Sequence, residues 1–311
     1  MVSSSVWDTA SMLVVITASL GRLWTDTFIL VVNCRDWIQK KRLSPVDRIL
    51  TLQSISRICL ACSETFWYLL AKFDPQISQN LHIFKASMSV FWFFLFWNLW
   101  LTACLCSYYC LKITDFSNPF FIYFKLRISG LVPTWLLGSV ILSLANTLPY
   151  ICVNMETVDN GEISNFFKNK TENSIYQSKI QLHVLILVGL GSSAAFSLCI
   201  TSAFLLIFSL WRHSQKMRTA SISSRSPSAA AHVQAVKIIL FLLINHVAAF
   251  LAMLMIFSSN FDRNSFATFV AVSFTHWCPS VDSFISVWGN TKLKNELHKL
   301  LYFAKCKGRY C

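Results

Sequence analysis

Seven long apolar stretches, separated by short loops, constrain this chain more than any other feature of its sequence. Each stretch is long enough to cross a hydrocarbon core of about 30 Å, which takes about 20 residues at a rise of 1.5 Å per residue. The sequence therefore predicts an all-α membrane protein, a single domain over residues 1–311 with a seven-transmembrane helix bundle and a basic tail at 289–311. We place the spans at 10–34, 47–70, 81–111, 128–152, 181–211, 233–258 and 264–288.

Composition agrees with a membrane environment. Of the 311 residues, 55% are hydrophobic and only 13% are charged, whereas soluble domains carry about 25% charged residues. The net charge of +13 would point to nucleic acid in a soluble protein. Here the positive charge is spread over four segments at the ends of spans, which indicates membrane topology instead. We therefore expect lipid contact and no nucleic acid.

The distribution of Lys and Arg predicts the orientation. Of 27 such residues, 19 fall in four segments that would share one side of the membrane: 35–48, 112–127, 212–237 and 292–309. By the positive-inside rule this side is cytoplasmic. The N-terminus is then outside and the tail is cytoplasmic, which requires an odd number of spans. Asn169 belongs to the one N-x-Thr/Ser triplet and lies in the loop 153–180 on the predicted outer side, where such a triplet can be glycosylated.

Five charged residues stand within the spans: Arg22, Asp26, Arg57, Glu64 and Asp282. A charge at this depth is costly and normally faces a partner. Asp26, Arg57 and Asp282 should lie at similar depth, so we expect a buried cluster that joins spans 1, 2 and 7. Glu64 lies nearer the outer end and could face a cavity. Two interpretations of the cluster stay open, a switch that repacks on activation and a static pin that orients three helices.

The outer halves of spans 2 and 3 carry large rings and few charges. Trp67 lies near the end of span 2, and Phe91 and Trp92 lie in the ring-rich part of span 3. Phe91, Leu95 and Asn98 share one face at the spacing i, i+4, i+7. Such a face predicts a cavity for uncharged or weakly polar organic molecules, with amines as a further class that ring faces attract. Ordinary helix packing and lipid contact is the alternative.

Motifs for catalysis are missing from the sequence. It has no G-x-S-x-G, H-E-x-x-H, Walker A or G-x-G-x-x-G, and its seven His residues are scattered without ligand spacing. We therefore expect no enzyme, no cofactor and no metal site.

Cys306 and Cys311 follow the last span in a basic tail, a context typical of palmitoylation.

Several segments, in order along the chain, are similar to the bitter taste receptor family, the type 2 taste receptors. Leu206-Ile-Phe-Ser209-Leu210 resembles the family's L-x-x-S-L signature at the inner end of span 5. Further matches are Asn33–Trp37, Ser44–Leu50, Ser56-Arg57, Leu111–Pro119, His232-x-x-Ala235-x-Lys237 and Trp288–Lys294. The chain is therefore identified as a member of this family of G protein-coupled receptors.

Four positions depart from the family pattern. Asp26 stands where Asn is frequent, and Asp282-Ser283 stands where a His-Ser or His-Pro pair is usual. These two acids should make the network around Arg57 more ionic. Leu95 and Val272 stand where many members carry Asn and a polar or acidic residue, so two polar anchors of the family's ligand site are missing.

The resemblance implies a bitter-type receptor of the plasma membrane. A small-molecule agonist would bind in the outer half of the bundle, and the inner ends of spans 5 and 6 would open for a heterotrimeric G protein with an α subunit of gustducin or inhibitory type. The expected ligand contacts are Trp67, Phe91, Trp92, Leu95 and Val272, and the expected switch network is Asp26, Arg57, Asp282 and Ser283. The expected G protein face is Lys112, Phe116, Leu206, Ser209, Leu210, His213, His232 and Lys237.

Three alternatives stay open at this point. The leucines and Ser209 of the inner face could simply pack between helices. The chain could be a small-solute transporter or channel, which would need a polar path through the bundle and broken helices. A homo-oligomer is also compatible with the sequence.

Overall fold

The computed structural model describes residues 2–74, 80–114, 119–159, 172–219, 227–257 and 266–307. These residues form eight helices and no strand. The helices are α1 (Val2–Lys40), α2 (Pro45–Phe73), α3 (Leu81–Ile113), α4 (Pro119–Asp159), α5 (Glu172–Thr219), α6 (Pro227–Phe257), α7 (Phe266–Gly289) and α8 (Thr291–Lys307).

Local signals in the sequence set several helix ends. Ser44 caps α2 by accepting a hydrogen bond from the Asp47 backbone N–H at 3.1 Å, and Pro45 takes the first helical position, where its missing N–H costs nothing. Asn290 separates α7 from α8 and accepts from the Lys292 backbone N–H at 3.0 Å. Lys41 ends α1 with a φ of 55°. The α1–α2 turn is therefore shorter than the loop 35–46 that the spans implied, because α1 continues to Lys40.

Five of the eight helices in the described part of the chain are long and apolar enough to cross a membrane. The other two long helices also bury their charges: α2 carries Arg57 and Glu64, α7 carries Asp282, and all three side chains are buried. The all-helical membrane architecture is thus confirmed, while the count of seven spans and the orientation stay predictions. The five spans are Thr9–Lys40, Lys85–Ile113, Ile122–Leu148, Gly189–Ser209 and Val236–Ile256.

Six of the described helices, α1, α2, α3, α5, α6 and α7, pack in a closed ring. α1 packs against α2 and α7, α2 against α3, α5 against α6, and α6 against α7, while α3 also contacts α4, α5 and α6. Short α8 packs on the end of α7 and touches α1. We call the end with the α1–α2 turn and α8 the inner end, and the opposite end, where α3 begins, the outer end.

The bundle has an exposed apolar surface and a polar interior. Trp24 is 74% exposed and Leu126 is 80% exposed, whereas Arg22 and Arg57 are completely buried. A soluble protein of this size rarely leaves so much contiguous apolar surface in water, so the pattern indicates lipid around the bundle. The inner half holds an apolar core that includes Ile49, Leu105, Ile238, Leu242 and Leu293.

We expect Gly289→Val to destabilise the α6–α7 contact. A Cβ on Gly289 would lie 2.6 Å from Cδ1 and 2.9 Å from Cγ1 of Ile238, so the larger side chain overpacks the site at a cost of about 1–3 kcal/mol. The thermal unfolding midpoint of the purified protein in detergent micelles measures the loss.

Gly138→Val is the matched control, because a Cβ on Gly138 meets nothing within 4 Å. Adding Ile238→Ala to Gly289→Val should restore part of the stability through the shared contact. Equal midpoints for Gly289→Val and Gly138→Val would show that the contact does not limit packing there.

Candidate functional site

A buried ion pair joins three helices near mid-depth of the bundle. Arg57 of α2 and Asp26 of α1 are both completely buried, and Arg57 Nε donates to Asp26 Oδ1 at 3.0 Å. Nη2 of Arg57 is also 3.0 Å from Oδ1. Ser283 of α7 donates its hydroxyl to Asp26 Oδ2 at 2.8 Å. Asp26 is therefore the common partner of α2 and α7.

A second ion pair joins the same three helices closer to the outer end. Arg22 Nη1 lies 3.1 Å from Glu64 Oε2, and Arg22 Nη2 donates to the backbone carbonyl of His276 at 2.9 Å. The His276 ring lies 3.4 Å from the same Glu64 oxygen. Arg22 precedes Asp26 by four residues, so both point from one face of α1, and the two pairs stack along the bundle.

Asp282 turns away from these pairs. Its carboxylate accepts from Asn245 Nδ2 at 2.7 Å and lies 3.6 Å from His246 Nε2, both on α6. The structure thus places Ser283, not Asp282, next to the Asp26–Arg57 pair. Adjacent residues on a helix point about 100° apart, so only one of the two can face α1 and α2. The expected cluster of Asp26, Arg57 and Asp282 is buried, but among the described residues the Asp282 carboxylate contacts α6 and not Arg57, and the switch role of the network stays a prediction.

A cavity opens between α3, α5, α6 and α7, with Glu64 contributed by α2. It encloses about 750 Å³ with its open mouth included. Rings and aliphatic side chains form most of its wall, and a few polar groups lie deeper. The lining residues are Glu64, Phe91, Leu95, Phe96, Asn98, Leu99, Ser192, Phe196, Asn245, His246, Ala249, Phe250, Met253, Thr275, Cys278, Pro279 and Asp282.

Two of the five expected ligand contacts, Phe91 and Leu95, line this cavity. Trp92 is buried behind the wall, with its ring centroid 5.4 Å from that of Phe91. Trp67 and Val272 are half-buried and do not belong to the lining.

Sequence reasoning missed the contribution of α6 to the cavity. Asn245 and His246 form a polar pair within the apolar segment Val236–Ile256. Polar side chains in such a segment normally face the interior of a bundle, so the pair could have been recognised from the sequence.

The described part of the expected G protein face divides into buried and exposed residues. Leu206 and Ser209 are buried in α5, in agreement with the packing alternative. Lys112 and Lys237 are exposed, and Lys112 Nζ lies 5.6 Å from the Tyr108 ring centroid. The side chains of Leu210, His213 and His232, and all of Phe116 and Asn169, lie outside the described part of the chain.

Lys292 ties α8 to the α1–α2 turn at the inner end. Its Nζ lies 2.7 Å from Asp36 Oδ2 and 3.1 Å from Asp47 Oδ2, and it donates to Asn33 Oδ1 at 2.9 Å. The sequence interpretation noted these segments only as a resemblance and did not connect them. The position of α8 is therefore fixed by charge as well as by packing.

Glu296 makes a second link between α8 and α1. Lys299 and Arg35 each donate to its carboxylate at 2.8 Å. These hydrogen bonds hold the pKa of Glu296 below its usual range. Both partners are more than half exposed, and exposed pairs of this kind contribute little stability.

A helical membrane protein with a paired ionic interior and an apolar cavity is the class that these features define. The family model described as "Taste receptor protein (TAS2R)" matches residues 1–305. Taste receptor type 2 member 9 of Papio hamadryas and of Homo sapiens are each 33% identical over 290 residues. Taste receptor type 2 member 7 of Macaca mulatta is 33% identical over 302 residues. Each alignment covers 91% of this chain and 90% of the relative.

The chain therefore belongs to the TAS2R taste receptor family. The family that the sequence motifs predicted is confirmed, and with it a receptor rather than an enzyme as the class of protein.

We expect Arg57→Met to reduce both stability and surface expression strongly. It leaves the Asp26 carboxylate buried without its cation, and breaking a buried pair on one side costs about 3–5 kcal/mol. Detergent unfolding midpoints and surface labelling of intact cells measure the two effects.

Ser283→Ala is the control, since it removes only one hydrogen bond to Asp26 and should cost about 1–2 kcal/mol. The double variant Arg57→Met with Asp26→Leu should be less damaged than Arg57→Met alone. Wild-type stability for Arg57→Met would contradict the importance of the pair.

Proposed function

We propose that this chain is a bitter-type chemosensory receptor of the plasma membrane. It binds small organic molecules in the cavity between α3, α5, α6 and α7 and activates a heterotrimeric G protein at its inner end. An α subunit of gustducin or inhibitory type is the partner that the family resemblance favours. The observation that carries the proposal is an apolar cavity with a few deep polar groups, in a chain of taste receptor ancestry.

Seven crossings with the N-terminus outside are part of the proposal. α2 has 29 residues and α7 has 24, so at about 1.5 Å per residue each exceeds the hydrocarbon thickness. Their charges face partners inside the bundle, which lowers the penalty for placing them in lipid. The excess of Lys and Arg at the inner end supports the orientation.

Activation is a shift between two arrangements of the bundle. A ligand moves such an equilibrium only by its differential affinity for the two arrangements, and a tenfold shift takes about 1.4 kcal/mol. Asn245 and His246 of α6 and Asp282 of α7 all line the cavity. A ligand that contacts them acts on the α6–α7 contact, and the inner end of α6 adjoins α5, where the G protein would enter.

The transporter or channel alternative has less support. Below the cavity, α3, α5 and α6 meet through the buried side chains of Cys106, Leu206, Ile239 and Leu242. This apolar layer offers no continuous polar path among the described residues. The charged side chains in the two stacked ion pairs of α1 and α2 contact each other and do not line such a path.

Cells that express this chain together with a G protein α subunit coupled to calcium release test the function. Screening a library of small organic molecules should yield compounds that evoke calcium release only when both proteins are present. Glycosidase sensitivity at Asn169 in the same cells reads out the orientation. Solute flux or ion current that is independent of the G protein would instead favour the transporter.

We expect Leu95→Asn to broaden the response toward more polar agonists. Leu95 lines the cavity, so an amide there supplies a hydrogen-bond partner to ligands that now find only hydrocarbon at this position. Concentration–response curves over a panel graded in polarity measure the change.

Val272→Asn is the matched control, because Val272 is of similar size but does not line the cavity. An unchanged agonist panel for Leu95→Asn, with normal surface expression, would argue against this cavity as the ligand site.

A further inference from the structure

We propose that the deep end of the cavity is an ammonium subsite, in which Asp282 is the counterion for a protonated amine of the agonist. This inference rests on the proposed function and specifies the ligand class of its cavity. The amine would belong to a hydrophobic aryl-alkyl molecule whose apolar part fills the ring-lined upper cavity.

The charges around the cavity leave one carboxylate without a direct Lys or Arg contact among the described residues, because Arg57 and Arg22 act on Asp282 only from beyond contact distance. No Lys or Arg belongs to the described lining. Glu64 lines the cavity but is already paired with Arg22 at 3.1 Å, and Arg57 is paired with Asp26 outside the lining. Asp282 contacts only an amide and an imidazole with its carboxylate among the described residues. A ligand cation is therefore the charge that this end of the cavity lacks.

The hydrogen bonding of His246 supports this assignment. Its Nδ1 lies 2.9 Å from the Leu242 carbonyl oxygen, which can only accept, so Nδ1 carries a hydrogen. In the neutral ring the Nε2 lone pair then faces Asp282 Oδ2 at 3.6 Å. The lone pairs of Nε2 and Oδ2 repel each other. The contact between His246 and Asp282 is therefore favourable only when a proton lies between these two atoms. A ligand ammonium would bring the same positive charge together with N–H donors.

Asn98 provides a second, independent indication of a missing donor. Its side chain lines the cavity and is only 4% exposed, yet its Oδ1 has no hydrogen-bond partner among the residues that the structure describes. A buried acceptor without a partner costs about 1–3 kcal/mol, and buried polar groups are rarely left in this state. An N–H group of a bound ligand would satisfy it.

The walls of the subsite also favour a cation. The Phe196 ring packs against His246 at a centroid distance of 6.4 Å and against Phe250 at 5.9 Å. Ring faces attract ammonium groups, and an apolar wall strengthens the attraction of a nearby carboxylate because it lowers the local dielectric. Rings around a carboxylate that has no Lys or Arg contact among the described residues select a lipophilic amine over a carboxylate or a neutral molecule of equal shape.

Matched pairs of probes test the inference. Each pair contains an aryl-alkyl dimethylamine and its carbon isostere, in which isopropyl replaces dimethylamino, so the two probes share their shape and differ only in the charge and in the N–H donor that comes with it. In the calcium assay, the amine should be roughly tenfold or more the stronger agonist at the wild-type receptor, the range expected for a hydrogen-bonded charge. Asp282→Asn should abolish this ratio, whereas Asp282→Glu, which keeps the charge, should retain most of it.

Thr275→Val is the control within the same helix, because Thr275 lines the cavity without a charge and Val has its shape. It should leave the amine-to-isostere ratio unchanged. If Asp282→Asn does not reach the cell surface, Asn98→Val serves as the test variant instead. It should reduce the amine-to-isostere potency ratio severalfold. Equal potency of the two probes at the wild type, or a ratio that survives Asp282→Asn or Asn98→Val, overturns the inference.

Direct binding separates this inference from the proposed function. The unfolding midpoint of the purified protein in detergent should rise with the amine more than with the isostere, and Asp282→Asn should remove the difference. If the amine stabilises the protein but no probe evokes calcium release, the receptor function fails and the subsite stands. If isosteres signal while amines neither signal nor stabilise, the subsite fails and the function stands.

Discussion

Pairing of Arg57 with Asp26 is the constraint on which the arrangement of the bundle depends. In lipid, an unpaired charge costs at least about 2.5–3.5 kcal/mol even on lenient scales, so a rotation of α1 or α2 that separates the two side chains is excluded. Their buried contact at 3.0 Å fixes the depth and rotation of both helices together. Ser283 extends the constraint to α7 by its hydrogen bond to Asp26. The hydrophobic effect contributes little to these angles, because lipid tails are as apolar as the helix surfaces, and the polar contacts act together with van der Waals packing.

As a consequence, the helices of the bundle are not all held to one another by the same kinds of contact. Two stacked ion pairs hold α1, α2 and α7 as one unit. α6 is held to this unit by apolar contacts and by the approach of Asn245 and His246 to Asp282. The cavity lies where these two parts meet. Under the proposed function, a ligand bound there would act on the contact that is least determined by fixed charges, and α6 could move without breaking the ionic pairs.

Sequence spacing predicted some contacts and failed for others for an identifiable reason. The sequence placed Asp26 and Arg57 at similar depth in one buried cluster, and in the structure Arg57 Nε donates to Asp26 Oδ1 at 3.0 Å. The choice between Asp282 and Ser283 depended on the rotation of α7, which only its partners set. Ring composition likewise could not separate Phe91, which lines the cavity, from Trp67, which does not. The periodic face through Leu95 and Asn98 carried that information, because it combines an apolar surface with one amide.

The cavity shows what changes when Leu95 replaces the polar residue that is frequent at this position in the family. Leu95 puts hydrocarbon in the wall of the cavity, whereas the polar side chains of Asn98, His246 and Asp282 lie at its deep end. A molecule with one polar group can then satisfy it only by inserting that group first, with its apolar part toward the mouth. The same insertion brings the polar group to α6 and α7 together. Under the proposed function, recognition and the contact that changes on activation would coincide at Asp282, and the charge of the ligand would affect both affinity and response.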